Sequence, residues 1–391
     1  MFNIYQKKIN KFIHNALINL IVIYFALLGK VKKIFNSKYD PYKPLESNYN
    51  LSPSNIIIEN YKKSALKLSF SKNTIDPLKW QNLARKKLSE LSGYDSEREI
   101  TKIAKEFNEK IIFKNIYKKK IYLKISSTTI IPINLIYKKP IKKNLKVFIF
   151  LAGSTSGVHI GWGEAKVPID HQRIFIGADM AKQAAEKGYL AVTFEQAGYG
   201  ERLERRLPKQ TNNRTIDFAN HLLLLGKSLM GNSATEISSV IDWLCSKNNI
   251  FNINKSNIYL YGHSSGGTIV QFAAALDKRI KGTLASGSVG PVRQTIGARG
   301  CGSGDGIVPG FLEWFDTKDI ISLIAPRLFI ALSGDQDHIF PYSGAKKVIN
   351  DARTIYKKLN AEEKIICIKV KGKHQYYNKE SWEVLDKHMK F

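Results

Sequence analysis

The chain has 391 residues, enough for one large or two ordinary domains, and its 43% apolar and 24% charged content is that of a core-forming globular protein. Disordered, collagen-like and coiled-coil chains are excluded. Lys and Arg outnumber Asp and Glu by 61 to 33, a formal charge of +28, which by itself points toward a nucleic-acid or anionic-surface partner. The excess is uneven, however: residues 1–150 hold 30 basic and 10 acidic residues, the remainder 31 and 23, and the basic part is also where Lys, Asn and Ile crowd together. A coding bias toward those residues raises charge without selecting a partner, so no nucleic acid is expected. Cys245, Cys301 and Cys367 lie 56 and 66 residues apart, which excludes close-spaced zinc ligand pairs and leaves an odd number for disulfides. Reduced thiols are expected.

Ile13–Leu28 is almost wholly apolar, with Lys7, Lys8 and Lys11 before it and Lys30, Lys32 and Lys33 after it. It falls short of the roughly 20 apolar residues that a bilayer requires, and no small-x-small cleavage site follows. Two readings stand. Residues 1–35 form a membrane anchor or uncleaved signal, or the apolar stretch is a helix packed on the domain and the protein is cytoplasmic. Asn36–Asn55, with Pro41, Pro44 and Pro53 among Ser, Asn and Tyr, has no apolar period and reads as a linker. Residues 56–391 then form the folded domain, with a helical extension over 56–110.

Asp76-Pro77 is a helix start, and Leu83, Leu88 and Leu91 continue the apolar face until Gly93 stops it. A second helix is expected over Ser96–Glu109. The β-branched runs Ile121–Ile125 and Thr129–Tyr137 predict an antiparallel pair, and Val147–Leu151, apolar throughout, predicts a buried central strand. Regular alternation follows: a helix over Ile176–Lys187, a strand over Tyr189–Phe194, a helix over Ala234–Ser246 and a strand over Asn257–Tyr261. After these come a helix over Gly266–Leu276, strands near Gly282–Ser286 and Leu328–Leu332, a helix after Tyr342 and a last strand over Ile365–Val370. Strands alternating with helices specify a mostly parallel sheet covered on both faces.

In such a sheet, chemistry collects at the carboxyl ends of the strands. Gly262-His263-Ser264-Ser265-Gly266 has the G-x-S-x-G spacing, with an apolar strand before it and a helical stretch from Thr268 after it, which is the context of a nucleophile elbow. Ser264 is the candidate nucleophile. A serine hydroxyl needs a base to take its proton and an acid to orient that base. Asp335 and Asp337 both follow the Leu328–Leu332 strand. Asp337, at a D-x-x-F-P spacing, is read as the acid and Asp335 as a turn former. Of the three later histidines, His338 adjoins the acid and His388 sits in a final helical stretch, whereas His374 follows the last strand in the loop Gly372-Lys373-His374-Gln375 and is read as the base. The oxyanion hole needs two N–H donors, expected from Ser265 and from the turn Ala152–Gly157, through Ser154. Trp314, Phe315 and Arg202 are candidates for a substrate pocket, with core packing and an ion pair as the competing readings.

An elbow serine, then D-x-x-F-P, then a late histidine resembles the α/β-hydrolases, and within them the dienelactone-hydrolase-like and acetyl-xylan-esterase-like branch. Further segments carry the resemblance over residues 75–391: Gly188-Tyr189-Leu190-Ala191-Val192, Gly198-Tyr199-Gly200-Glu201-Arg202, Ile241-Asp242-Trp243-Leu244 and Val308–Asp316 leading into Leu323–Arg327. It implies an α/β-hydrolase fold with an N-terminal helical and β-hairpin extension. It also implies a serine esterase that takes small acyl groups from a carbohydrate or small molecule, with no cofactor or metal. Two positions depart from the branch: Ala152-Gly153 stands where a histidine-glycine pair is usual, and Glu195 where an aspartate is usual. The rival readings are a serine peptidase or acyltransferase on the same triad, and a non-catalytic membrane- or nucleic-acid-binding protein on a hydrolase scaffold, which three triad residues in order argue against.

Overall fold

The computed structural model describes residues 53–389 apart from 64, 72–75, 207–211, 213, 248 and 294–305, with a few single positions nearer the N-terminus. The apolar stretch 13–28 apart from Leu20, Tyr24 and Leu27, most of the 36–55 linker, and Cys301 therefore lie outside the described residues. The chain divides into two compact units, residues 1–62 and 63–391. Among the described residues, no helix is long and apolar enough to cross a membrane. Cys245 and Cys367 are free thiols.

Helix α1 (Ser54–Lys63) begins inside the expected linker. In the second unit, α2 (Pro77–Ser92) starts where Asp76 accepts hydrogen bonds from the N–H groups of Leu78 and Lys79, both at 2.9 Å. The strands β1 (Lys102–Glu106), β2 (Lys110–Phe113), β3 (Ile116–Lys124), β4 (Ile130–Lys138) and β5 (Leu145–Leu151) follow. The helix expected over Ser96–Glu109 is absent: β1 occupies part of that stretch, paired antiparallel to β3 with a bulge between Ile103 and Lys105. Helical propensity there yields to tertiary pairing at the edge of a sheet. The pair β3 and β4 is antiparallel as expected, in register from Ile116↔Lys138 to Lys124↔Ile130.

After β5 come a 3-10 turn (Val158–Trp162), α3 (Pro168–Phe175), α4 (Met180–Glu186), β6 (Leu190–Phe194), α5 (Arg214–Leu224), α6 (Leu229–Cys245), β7 (Ile253–His263) and α7 (Ser265–Leu276). Next are β8 (Ile280–Ser286), the short helices α8 (Phe311–Trp314) and α9 (Thr317–Ser322), β9 (Leu328–Gly334), α10 (Tyr342–Lys358), β10 (Ile365–Val370) and α11 (Asn378–His388). One sheet runs in the order β1-β3-β4-β6-β5-β7-β8-β9-β10, with β2 also on β3. From β6 to β10 every pairing is parallel. The apolar runs follow from burial on both faces. In β5, Val147, Ile149 and Leu151 enter one core cluster with residues of α6, α7 and α10, while Phe148 and Phe150 enter the other with residues of α4 and α11.

Candidate active site

Ser264 ends the crossing from β7 into α7 with φ +53° and ψ −122°, a conformation that L-residues rarely hold. Two glycines make the turn feasible. A Cβ on Gly262 would lie 2.2 Å from the Gly266 carbonyl oxygen, and one on Gly266 would lie 2.4 Å from that of Ala152. Ser264 is the N-cap of α7 but its hydroxyl does not cap the helix, and at this N-terminus the positive end of the helix dipole favours an anion.

His374 comes from the loop after β10, and its Nε2 lies 2.9 Å from Ser264 Oγ. Its Nδ1 lies 2.8 Å from Asp337 Oδ2, on the loop after β9. The other carboxylate oxygen of Asp337 accepts the N–H groups of Ile339 and Phe340 at 2.8 and 2.9 Å. Burial works to raise the Asp337 carboxyl, but these hydrogen bonds, above all the one from His374, outweigh it and hold its pKa below the ordinary aspartate value. An ionised carboxylate only accepts, so Nδ1 of His374 carries the hydrogen and Nε2 is left free to take a proton from Ser264.

Asp335 has a different task from the self-capping turn expected of it. Its Oδ1 accepts the Gly372 N–H at 3.0 Å, and the neighbouring Gln336 N–H donates to the Gly372 carbonyl at 2.9 Å. The acid loop is thereby tied to the histidine loop, a cross-strand contact that turn chemistry alone does not announce. Beneath the triad sits His263, its ring centroid 5.1 Å from that of His374 and 4.2 Å from that of Tyr376. Burial, with a smaller effect of His374, pushes the His263 pKa down to about 3, so it stays neutral beside His374.

The loop after β5 completes the site. Tyr199 donates to Ser154 Oγ at 3.1 Å and Ser154 donates to Ser265 Oγ at 3.2 Å, so the two expected oxyanion-hole residues stand side by side. Gly153 donates its N–H to the Tyr376 hydroxyl at 3.3 Å. Farther along, Ser156 donates to Asp170 at 2.5 Å, and His159 Nε2 lies 2.8 Å from the same carboxylate and 3.2 Å from Ser156 Oγ. The residue types are those of a triad but the order is not. Both Ser156 and His159 converge on Asp170, which also accepts the N–H groups of Lys166 and Val167, so this cluster braces a loop. His159 and Asp170 are 11 positions apart with no motif between them, and no sequence signal marks them.

The three pocket candidates do not join this group. Arg202 is committed to a two-pronged ion pair with Glu236, at 2.7 and 2.6 Å, which is the competing reading made for it. Phe315 is fully buried in the core beside Phe311. Trp314 lies under the ammonium groups of Lys67 and Lys87, 5.1 and 4.5 Å from its ring.

Comparison with known proteins places this geometry in context. YtaP, a hydrolase candidate of Bacillus subtilis (strain 168), is 26% identical over 191 residues, which are 46% of this chain and 59% of YtaP. The chain thus matches about three fifths of the length of that curated relative. Among solved structures, an acetyl xylan esterase candidate from Bacteroides fragilis NCTC 9343 superposes with a TM-score of 0.66 at 18% identity, over 84% of this chain and 85% of that one. A glucuronoyl esterase from Solibacter usitatus superposes at 0.58 with 14% identity, over 83% and 98%. At these identities the likeness is one of fold, and the fold is that of the α/β-hydrolases. The sequence profile of the Abhydrolase family matches residues 47–352, well over half of the chain, and the chain belongs to that family.

Proposed function

We propose that this protein is a serine carboxylic ester hydrolase that removes acetyl or another small acyl group from a carbohydrate or small molecule. One observation carries the reading: the continuous chain from Ser264 Oγ through the two nitrogens of His374 to Asp337, at 2.9 and 2.8 Å, on a strained elbow. The names of the superposing structures, an acetyl xylan esterase candidate and a glucuronoyl esterase, support a carbohydrate ester as the substrate class.

The residues divide the work as follows. His374 Nε2 takes the Ser264 proton as the oxygen attacks the ester carbonyl, and the imidazolium that forms is stabilised by Asp337. Neutral His263 beneath it adds no opposing charge. The carbonyl oxygen becomes an oxyanion and is held by the N–H groups of Ser265 and Ser154. His374 then protonates the departing alcohol, leaving Ser264 acylated. Water, deprotonated by the same nitrogen, attacks the acyl-enzyme through a second oxyanion and restores the serine.

The test is a hydrolysis screen of purified protein on aryl esters of rising acyl length, beside acetylated sugars. Acetate should be cleaved fastest, and Ser264→Ala should lower kcat by at least about 10⁴ while melting like the wild type. An Ser264→Ala protein as active as the wild type defeats the proposal, and so does a folded wild type that cleaves no ester.

A further inference from the structure

The oxyanion loop is gripped from one place. Glu195 and Gln196, consecutive and buried, lie directly past the carboxyl end of β6. Glu195 Oε2 accepts the Val158 N–H at 3.0 Å, and Gln196 Nε2 donates to the Ala152 carbonyl at 2.6 Å. Two neighbouring side chains thus hold the two ends of the segment 152–158, whose middle carries Ser154.

The Glu195 carboxylate is built into this position. A Cβ on Gly157 would come within 2.9 Å of Oε1, and one on Gly200, at φ +49°, within 2.2 Å. Backbone on both sides closes over the carboxylate, which only glycine permits. Its charge, in contrast, is poorly supported. Arg202 stands near but spends its guanidinium on Glu236 and on the Glu195 backbone carbonyl. Lys166 and Glu201 act on it from a distance with opposite signs, and the His159 ring borders the same gap at Gly157. Among the described residues, no cationic side chain forms an ion pair with the Glu195 oxygens.

We propose that Glu195 is a positioning residue for catalysis: its carboxylate, through the Val158 N–H, sets the loop that presents the Ser154 N–H to the oxyanion, and the ionised carboxylate holds it better than the acid form. The inference rests on the ester-hydrolase reading. The physical ground is that a charged acceptor makes the stronger hydrogen bond, whereas a protonated carboxyl must place a hydrogen of its own in the same closed space. Burial, reinforced by Glu201, raises the Glu195 pKa to about 7 against the opposing pull of the Val158 N–H, Lys166 and Arg202, so both forms are populated near neutrality.

The experiment is a pH series of kcat and KM on an aryl acetate from pH 5.5 to 9, for the wild type, Glu195→Gln, Glu195→Asp and Ser264→Ala. Glu195→Gln keeps shape and an acceptor but never the charge. At pH 8.5 its kcat should fall at least about tenfold with KM little changed, and near pH 6 the gap should close to within about threefold. Glu195→Asp, still ionisable, should keep a pH-dependent rate. A rate ratio between wild type and Glu195→Gln that is flat across the series overturns the proposal. Should Glu195→Gln fail to fold, the wild type alone decides: its acid limb must show two ionisations, and a single one overturns the proposal. A dead Ser264→Ala beside an unaffected Glu195→Gln sinks only this inference, whereas an active Ser264→Ala sinks the triad itself.

Discussion

Replacing Asp337 by Asn removes one charge and almost no volume, and the surroundings dictate how the amide must turn. One carboxylate oxygen accepts two backbone N–H groups, from Ile339 and Phe340, and the other faces His374 Nδ1. In the variant, the amide oxygen must stay with the two N–H donors, because an NH2 group there would leave three donors facing one another. The NH2 group then points at His374 and forces Nδ1 to become the acceptor. The proton moves to Nε2, which can no longer receive the one from Ser264. Triads with the wrong tautomer lose about 10⁴ in kcat, or about 5.5 kcal/mol at the barrier. Thermal stability should change little at neutral pH, since all the backbone donors keep their acceptor. The assay is initial-rate hydrolysis of an aryl acetate, with melting curves for both proteins. Asp337→Ala, which imposes no tautomer, should be no worse than Asp337→Asn. A kcat within about tenfold of wild type for Asp337→Asn refutes the reasoning, and with it the place of Asp337 in the triad.

Asp335→Asn keeps an acceptor for the Gly372 N–H and should leave kcat within about threefold, while Asp335→Ala should cost about 1 kcal/mol of stability by denaturant titration; a dead Asp335→Asn beside an active Asp337→Asn reverses the assignment. Gly266→Ala places a Cβ 2.4 Å from the Ala152 oxygen, a clash with backbone that cannot rotate away, so it should abolish activity and lower Tm by many degrees; full activity shows that the elbow has slack. For Glu195 the sign is that of an acid raised by burial: its folded pKa of about 7 lies above the unfolded value, so its stabilising effect is present at low pH and is lost as pH rises through about 4.5 to 7. Relative to Glu195→Gln, the wild type should therefore lose roughly 3 kcal/mol between pH 4 and pH 8, and a stability difference that is independent of pH counts against a buried, ionising carboxyl.

Much of the site is legible in the sequence because its parts sit at strand ends that announce themselves. Ile365–Val370 is found as a strand with the expected bounds, and the apolar runs Val147–Leu151 in β5, Ile258–Tyr261 in β7 and Leu328–Leu332 in β9 place Ser154, Ser264 and Asp337 at the carboxyl end of the sheet. Local patterning fails where long-range pairing decides. Ser96–Glu109 has helical composition, yet its segment Lys102–Glu106 is mostly exposed edge strand, held by β3 alone. The supports of the site are hidden for the same reason. Glu195 and Val158, Asp335 and Gly372, and Arg202 and Glu236 are each 34 to 37 positions apart, and each pair joins residues whose proximity only the sheet creates.

The parallel ladder between β9 and β10 ends at the pair Val370↔Gly334, and both proposed partners of Ser264 hang from that last rung: Asp337 three residues beyond one strand, His374 four beyond the other. A slip of one residue between these strands displaces one loop against the other by about 3.3 Å, more than the whole 2.8 Å bond that joins them. It also exchanges the faces on which Ile365 and Ile366 pack. Sheet alignment in this way sets whether Asp337 and His374 meet. A chain with these two strands mispaired has its Asp337 carboxylate and His374 ring out of hydrogen-bonding reach, so the proposed triad assembles only with the correct pairing of the final two strands.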